Sequence, residues 1–252
     1  MSAGALALTA RRRPVRRPRD AHLSHEYELR RAGFRRIAGL DEVGRGSLAG
    51  PVVAAAVVLP ARPRIRGLRD SKVLARARRE ALYEQIVARA DAIGVGCIEV
   101  ETIDRINILE ATRLAMREAL MHLPEPPDHL LIDALTIREA AYPQRAIIDG
   151  DAISASIAAA SIVAKVTRDR ICDEMEARFP AYGFGCHKGY GTRRHYAVLM
   201  REGPCEWHRR SFAPIRMLLA GIQLPLDLEF ADVPLVDESA FEDDDPYESD
   251  GD

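Results

Sequence analysis

Two apolar segments near the N-terminal end restrict the fold more than any other feature. Residues 36–40 and 51–59 have the composition of buried strands, and only a Gly-rich turn joins them. That turn is too short for a helical crossover, so the pair must run antiparallel. Beyond it, strand-like and helix-like patterns alternate. Residues 75–90 gather Leu82, Ile86 and Ala90, with Leu74 just ahead, on one helical face, and residues 93–100 form a third apolar run. Residues 105–123 space Leu109, Thr112, Met116, Leu120 and Leu123 as an amphipathic helix. Prolines 124, 126 and 127 stop it ahead of a strand at His129–Asp133. Another short strand is expected at 145–148, then a long helix at 154–178 whose Ala158, Ala159, Ala160 and Ser161 suit close packing on a sheet. The pattern predicts an α/β domain with a mixed sheet, followed over 182–220 by a helical, loop-rich appendage.

Length and charge narrow the class. The chain has 252 residues, 47% hydrophobic and 29% charged, which suits one large globular domain and excludes global disorder. No apolar run approaches the roughly 20 residues of a membrane span. The basic N-terminus lacks a following apolar stretch, so a secretory signal is not expected. Cys97, Cys172, Cys186 and Cys205 form no CxxC pair, which fits a reducing compartment. The net charge of −2 conceals a division. Residues 227–252 hold twelve acids and no Lys or Arg, leaving +10 on the rest. The expected organisation is an Arg/Pro-rich arm and lead-in (1–34), a main α/β domain (35–180), a helical extension (181–224) and an acidic tail (225–252). A basic body suggests a polyanionic partner.

The most informative residues are acids at the ends of apolar runs. Asp41 and Glu42 end one, Asp133 ends another (LLIDA), and Asp151 lies between a strand and a helix (IIDGDAIS). Ligand sites in α/β sheets gather beyond the carboxyl ends of strands. Convergent carboxylates repel one another unless a cation sits among them, and Mg²⁺ or Mn²⁺ is the natural occupant of an oxygen cluster. Taken singly, Asp151 also fits a helix start and Asp133 a turn. Neighbours in a flat strand face opposite ways, so Asp41 and Glu42 share a site only if the strand ends or bulges there. The turn that follows, Gly44-Arg45-Gly46, lets backbone approach a ligand beside a guanidinium, or is simply a hairpin turn.

Together these segments resemble the bacterial ribonuclease HII family. The resemblance rests on AGLDEVGRGSLAGPVVAAAVVL (38–59), DSK (70–72), LIDA (131–134), GD (150–151), SIAAASIVAKVTRD (156–169), YGFGCHKGYGT (182–192) and HRRSFAP (208–214), all in family order. It implies an RNase H-like mixed sheet flanked by helices, with a small helical C-terminal extension. It implies a metal-dependent endonuclease that cuts the RNA strand of RNA–DNA hybrids and the 5′ side of ribonucleotides embedded in DNA. Position by position, Asp41, Glu42, Asp133 and Asp151 match the family's active-site acids. Gly44, Arg45, Gly46 and Tyr190 match its readers of the ribose 2′-hydroxyl. Lys165, Lys188, Arg168 and Arg193 are candidate phosphate contacts, with helix-surface charge the other reading for Arg168. His187 is expected to pack rather than bind metal. Two Mn²⁺ or Mg²⁺ ions, a cytoplasmic monomer and no obligatory protein partner are further expectations. Three positions depart from the family pattern: Val73 and Asp149 stand where lysine is usual, and Ala134 where glycine is frequent. A DNA-directed nuclease of the same fold and a non-catalytic nucleic-acid-binding module are the competing readings.

Overall fold

The computed structural model describes residues 20–222 apart from Glu139. All but Asp20 of the Arg-rich stretch at 1–20, and the acidic tail, lie outside the described residues. The chain opens with α1 (Ser24–Arg31), then β1 (Ile37–Val43) and β2 (Val52–Val58), which pair antiparallel as expected. A 3₁₀ turn (Ser71–Val73) and α2 (Arg76–Arg89) lead to β3 (Ala92–Ile98), antiparallel to β2. Next come α3 (Val100–Ile106) and α4 (Ile108–Met121), then β4 (His129–Asp133) and β5 (Gln144–Ile147). β4 runs parallel to both β1 and β5, giving a mixed sheet in the order β3-β2-β1-β4-β5. After α5 (Gly150–Ile153) and the 24-residue α6 (Ala155–Arg178), α7 (Phe184–His187), α8 (Arg193–Glu202) and α9 (Ala213–Leu219) form the helical extension.

The sheet is covered on both faces. Ala38, Leu40, Ala54, Ala56, Leu130 and Ile132 pack with Met116 and Ala119 of α4 on one side. Val53, Ala55 and Val57 meet Ala158, Ala159 and Ile162 of α6 on the other. Burial on both faces is why β2 is a continuous apolar run rather than an alternating one. Contact with α6 is backbone against backbone at Gly39, where a Cβ would lie 2.1 Å from the Ser156 carbonyl carbon.

Two elements differ from the sequence expectation. The third strand stops at Ile98 because α3 begins at Val100. The helix expected over 105–123 is two helices, broken where Asn107 takes a left-handed φ of 69° and its side chain caps Leu109 and Glu110. The lead-in is also more structured than an arm: α1 buries Glu26 and Leu29. Glu26 Oε1 accepts from Ser154 Oγ (2.7 Å), the Ser156 N–H (2.9 Å) and Ser156 Oγ, tying α1 to the first turn of α6. Glu26→Ala is expected to leave these donors unsatisfied, at a cost of about 2–3 kcal/mol, or roughly 5–10 °C in melting temperature. An unchanged thermal denaturation curve would show that the clamp contributes nothing.

The helical extension packs Leu48 and Ala49 against Met175, Tyr182, Phe184 and Ile215. Within it lie three buried histidines whose bonds define their protonation. His187 donates from Nε2 to Tyr182 O (2.8 Å) and accepts at Nδ1 from the Gly189 N–H. His195 donates from Nδ1 to Tyr190 O (2.8 Å), so its Nε2 accepts from His208 Nε2 (3.0 Å). His208 accepts at Nδ1 from the Cys205 N–H (2.9 Å). All three are neutral and fully bonded.

Candidate active site

Strand pairing brings the acids together. β1 and β4 pair as far as Leu40↔Ile132, and the next residues are Asp41 and Asp133. Asp133 is itself the partner of Ile147 at the end of β5, after which the chain turns through Asp149 to Asp151 in α5. The turn is fastened by the Gly150 N–H donating to Asp133 Oδ1 (2.8 Å). The expectation that the strand ends at Asp41 and Glu42 is not met, since β1 continues to Val43 on its β2 side. Asp41, like Gly39 before it, faces α6 and accepts a hydrogen bond from Ser161. Glu42 is held by Arg45 Nη1 at 3.0 Å. Both still sense the charge of Asp133.

Burial pushes the Asp41 carboxyl well above the ordinary carboxylate range, and the charges of Glu42 and Asp133 push the same way. Glu42 is raised by burial against the opposing pull of Arg45. Asp133 is raised by burial, opposed by the Gly150 N–H and Lys72, with Asp149 and Asp70 adding to the rise. Asp151 is pushed up to about 6 by burial and Asp70, although Lys72 Nζ lies 3.8 Å from its Oδ2. Burial acts against the Lys72 ammonium, but Asp70, Asp151, Asp41 and Asp133 outweigh it and raise its pKa. Lys72 is thus, with Arg45, a cation among the acids. It lies in the DSK motif, and only its place in that motif could have flagged it in the sequence.

Among the described residues, no three carboxylate, imidazole or thiol groups form a ready-made metal cage. The donors nevertheless suit a hard divalent ion. Every group is an oxygen, each carboxyl is raised by burial, and Glu42 Oε2 is buried without a hydrogen-bond partner. Mg²⁺ is commonly held by one or two carboxylates, with waters and substrate phosphate completing its shell, rather than by a full protein cage.

Beside the acids lies the Gly44-Arg45-Gly46 turn. Gly44 has φ 90°, and a Cβ there would meet Arg168 Nε at 2.2 Å, so both conformation and space demand glycine. Gly46 is exposed, and a Cβ on it would lie 4.0 Å from the Tyr190 ring, placing the two expected ribose readers side by side.

The lysines are a correction. Lys165 is bonded to Asp169 (2.5 Å) and Lys188, fully buried, to Asp173 (2.7 Å), so neither ammonium faces outward to a phosphate. Arg168 is likewise buried, not on a helix surface, while Arg193 is exposed. His187 packs, as expected. Ala134, in the position where glycine is frequent, has a left-handed φ of 47° and carries a strain of about 1 kcal/mol. Asp149 also sits left-handed, at φ 53°, and its charge raises Asp133. Val73 is exposed.

Residues 38–215 match the family model of ribonuclease HII. The chain belongs to the ribonuclease HII family. A Geobacillus kaustophilus ribonuclease HII is 53% identical over 210 residues, covering 83% of this chain and 80% of the relative. Among solved structures, the ribonuclease H2 of Pyrococcus horikoshii OT3 aligns at a TM-score of 0.63 and 26% identity, over 74% of this chain and 98% of that one. The ribonuclease HII of Archaeoglobus fulgidus, solved as a PCNA complex, aligns at 0.61 and 27%, over 71% and 96%. The RNase H-like α/β fold is therefore that of the family, and the chain is a ribonuclease H enzyme. Ribonuclease HII activity depends on a divalent metal.

Proposed function

We propose that this ribonuclease HII binds divalent metal through Asp41, Glu42, Asp133 and Asp151, and cuts RNA in RNA–DNA hybrids and on the 5′ side of ribonucleotides in duplex DNA. The observation that carries the reading is that Asp41 and Asp133 are the residues immediately after the last pair of the parallel strands β1 and β4, with Asp151 joined to Asp133 across the Gly150 turn. Two bound Mg²⁺ or Mn²⁺ ions would activate water and neutralise the leaving 3′-oxygen, giving 5′-phosphate and 3′-hydroxyl products. The chain's own part is positioning. Ser161 and the Glu42 N–H fix the Asp41 carboxylate, the Gly150 N–H fixes Asp133, and Arg45 fixes one oxygen of Glu42 while leaving the other bare. Lys72 offsets the acid charge.

Selection of RNA requires contact with the 2′-hydroxyl, the only sugar group that differs. The exposed Gly46 backbone and the Tyr190 ring are the groups beside the acids that suit this contact. Tyr190→Ala is expected to reduce cutting at a lone ribonucleotide by about tenfold more than cutting of a long hybrid, where neighbouring riboses compensate. Equal loss on the two substrates would remove Tyr190 from ribose reading.

The whole reading is tested by incubating the protein with a hybrid, a duplex carrying one ribonucleotide and an all-DNA duplex, each with Mg²⁺, Mn²⁺ or EDTA. Cleavage of the first two only, and only with metal, is the expected outcome; cleavage of all-DNA duplex would overturn it. Among the described residues no helix is long and apolar enough to cross a membrane, and a cytoplasmic enzyme acting as a single chain is the setting we infer. The PCNA complex of the archaeal relative extends the expectation of no obligatory partner: a protein partner such as PCNA is compatible with this fold.

A further inference from the structure

We propose that Arg209 is a specificity-determining positioning residue, which turns the Arg45–Gly46 peptide so that the Gly46 N–H faces the ribose. The inference rests on the reading of this loop as the ribose-sensing element. Arg209 and Arg168 are both completely buried, and among the described residues neither meets a carboxylate. Their donors go to backbone carbonyls instead. Arg168 binds Pro51 O (3.0 Å), Lys188 O (2.9 Å) and Ala49 O (3.0 Å). Arg209 binds Gly50 O through Nε (2.9 Å) and Nη2 (2.8 Å), Pro51 O (3.2 Å) and, through Nη1, Arg45 O (3.0 Å). Burying two unneutralised guanidinium groups is expensive, and a simple surface turn does not need it. Asp104, the acid near this end, is occupied by the Arg210 and Ser211 N–H groups at 2.9 Å each.

The geometry of the peptide unit gives the bonds their meaning. No peptide here is cis, and in a trans peptide the C=O and the following N–H point opposite ways. A carbonyl drawn inward to arginine therefore sends its N–H outward. For most of the anchored peptides that donor is already used or absent. The Gly50 N–H goes to Trp207 O, the Gly189 N–H to His187 Nδ1, and Pro51 has none. Gly46 is the exception: its N–H has no hydrogen-bond partner among the described residues, and it is exposed beside Tyr190. Arg209 Nη1 thus holds a free backbone donor on the surface next to the acids. Phe212 backs the guanidinium at 5.1 Å from its ring centre, which restrains its plane.

Arg209→Lys tests this, because a single ammonium cannot reach Arg45 O, Gly50 O and Pro51 O together. Dissociation constants are measured in Ca²⁺, without turnover, for a duplex with one ribonucleotide and for the matching all-DNA duplex. The expected result is a selectivity ratio reduced about tenfold, the scale of one lost sugar hydrogen bond, with all-DNA affinity and Ca²⁺ affinity by calorimetry unchanged. A folded variant with wild-type selectivity would overturn the inference, as would a parallel loss of both affinities, which a purely structural role produces. Wild-type protein binding both duplexes equally would instead overturn the ribose reading beneath it. If the lysine variant does not fold, Arg209→Gln replaces it, since it removes the buried charge but keeps a donor for Gly50 O.

Discussion

Asp41→Asn is expected to abolish strand cleavage, by about 10³-fold or more, while raising the melting temperature of the metal-free protein. The two effects share one cause. Burial, Glu42 and Asp133 all hold the Asp41 carboxyl above its ordinary pKa. The folded state therefore binds this proton more tightly than the unfolded chain, whose aspartates titrate near 3.9. Stability from this group is greatest in acid and declines as pH rises above that value. At neutral pH the ionised carboxylate opposes folding, and asparagine removes the opposition. It also removes the charge that would hold a divalent ion, and losing one electrostatic contact to a transition state alone costs about 10²–10³ in rate. EDTA should silence the wild-type enzyme equally. Thermal melts separate the contributions: Mg²⁺ should raise the wild-type melting temperature and leave the asparagine variant almost unmoved. Metal-dependent cleavage surviving in Asp41→Asn would end the assignment.

Acidification is expected to unfold the C-terminal layer between pH 6.5 and 4. His187 and His208 are held near 4 and His195 well below its ordinary value, chiefly by burial; Arg194 and Lys188 then lower His187, His187 and His208 lower His195, and His187 lowers His208. A depressed folded-state pKa means stability that is complete above about 6.5 and lost as pH falls toward 4. Each of the two residues near 4 contributes on the order of 3 kcal/mol to that loss, and both together rival the 5–15 kcal/mol of a whole domain. Hydrogen bonding explains why neutrality is enforced. A proton added to His187 Nδ1 or His208 Nδ1 would face a backbone N–H, and one added to His195 Nε2 would face His208 Nε2–H. Asp151, pushed up to about 6, and Asp41, Glu42 and Asp133, all raised by burial, act in the opposite sense over this window, but at the strand-end site rather than in this layer. The melting temperature, followed from pH 8 to 4.5, should fall below 6.5, and less steeply in His208→Gln. A flat profile would show that the histidines do not control acid stability. Because His195 donates to Tyr190 O, affinity for the lone-ribonucleotide duplex should weaken over the same interval.

The sequence made the site more legible than its supports. Asp41, Asp133 and Asp151 stood out as a set, since each alone has another reading (Asp151 a helix start, Asp133 a turn) but three acids at the ends of apolar runs can converge, and the pairing Leu40↔Ile132 brings two of them to the next positions of neighbouring strands. The long helix was readable to within one residue, since Ser154 caps it and no glycine or proline interrupts it. The break at Asn107 was hidden, because the apolar spacing continues across it. Lys165 offered a missed signal: Asp169, four residues on, is its natural helical partner. Lys188 gave none, as Asp173 lies on another element. The roles of Arg168 and Arg209 were also beyond reach. Their carbonyl partners include residues up to 164 positions away, and only the folded layers bring them together.

Helix α6 carries two fixtures on one rod. Ser161 engages Asp41 at the end proposed to do the chemistry, and Arg168, seven residues later, secures the Ala49 and Pro51 carbonyls behind the loop proposed to read the ribose. The axial offset between them is therefore set by helical rise at about 10 Å, and their relative bearing by the helical repeat. Inserting or deleting one residue within that span would swing Arg168 by about 100° and strand it from its carbonyls. The gauge between cutting and sensing is written as a residue count, so this stretch admits changes of letter far more readily than changes of length.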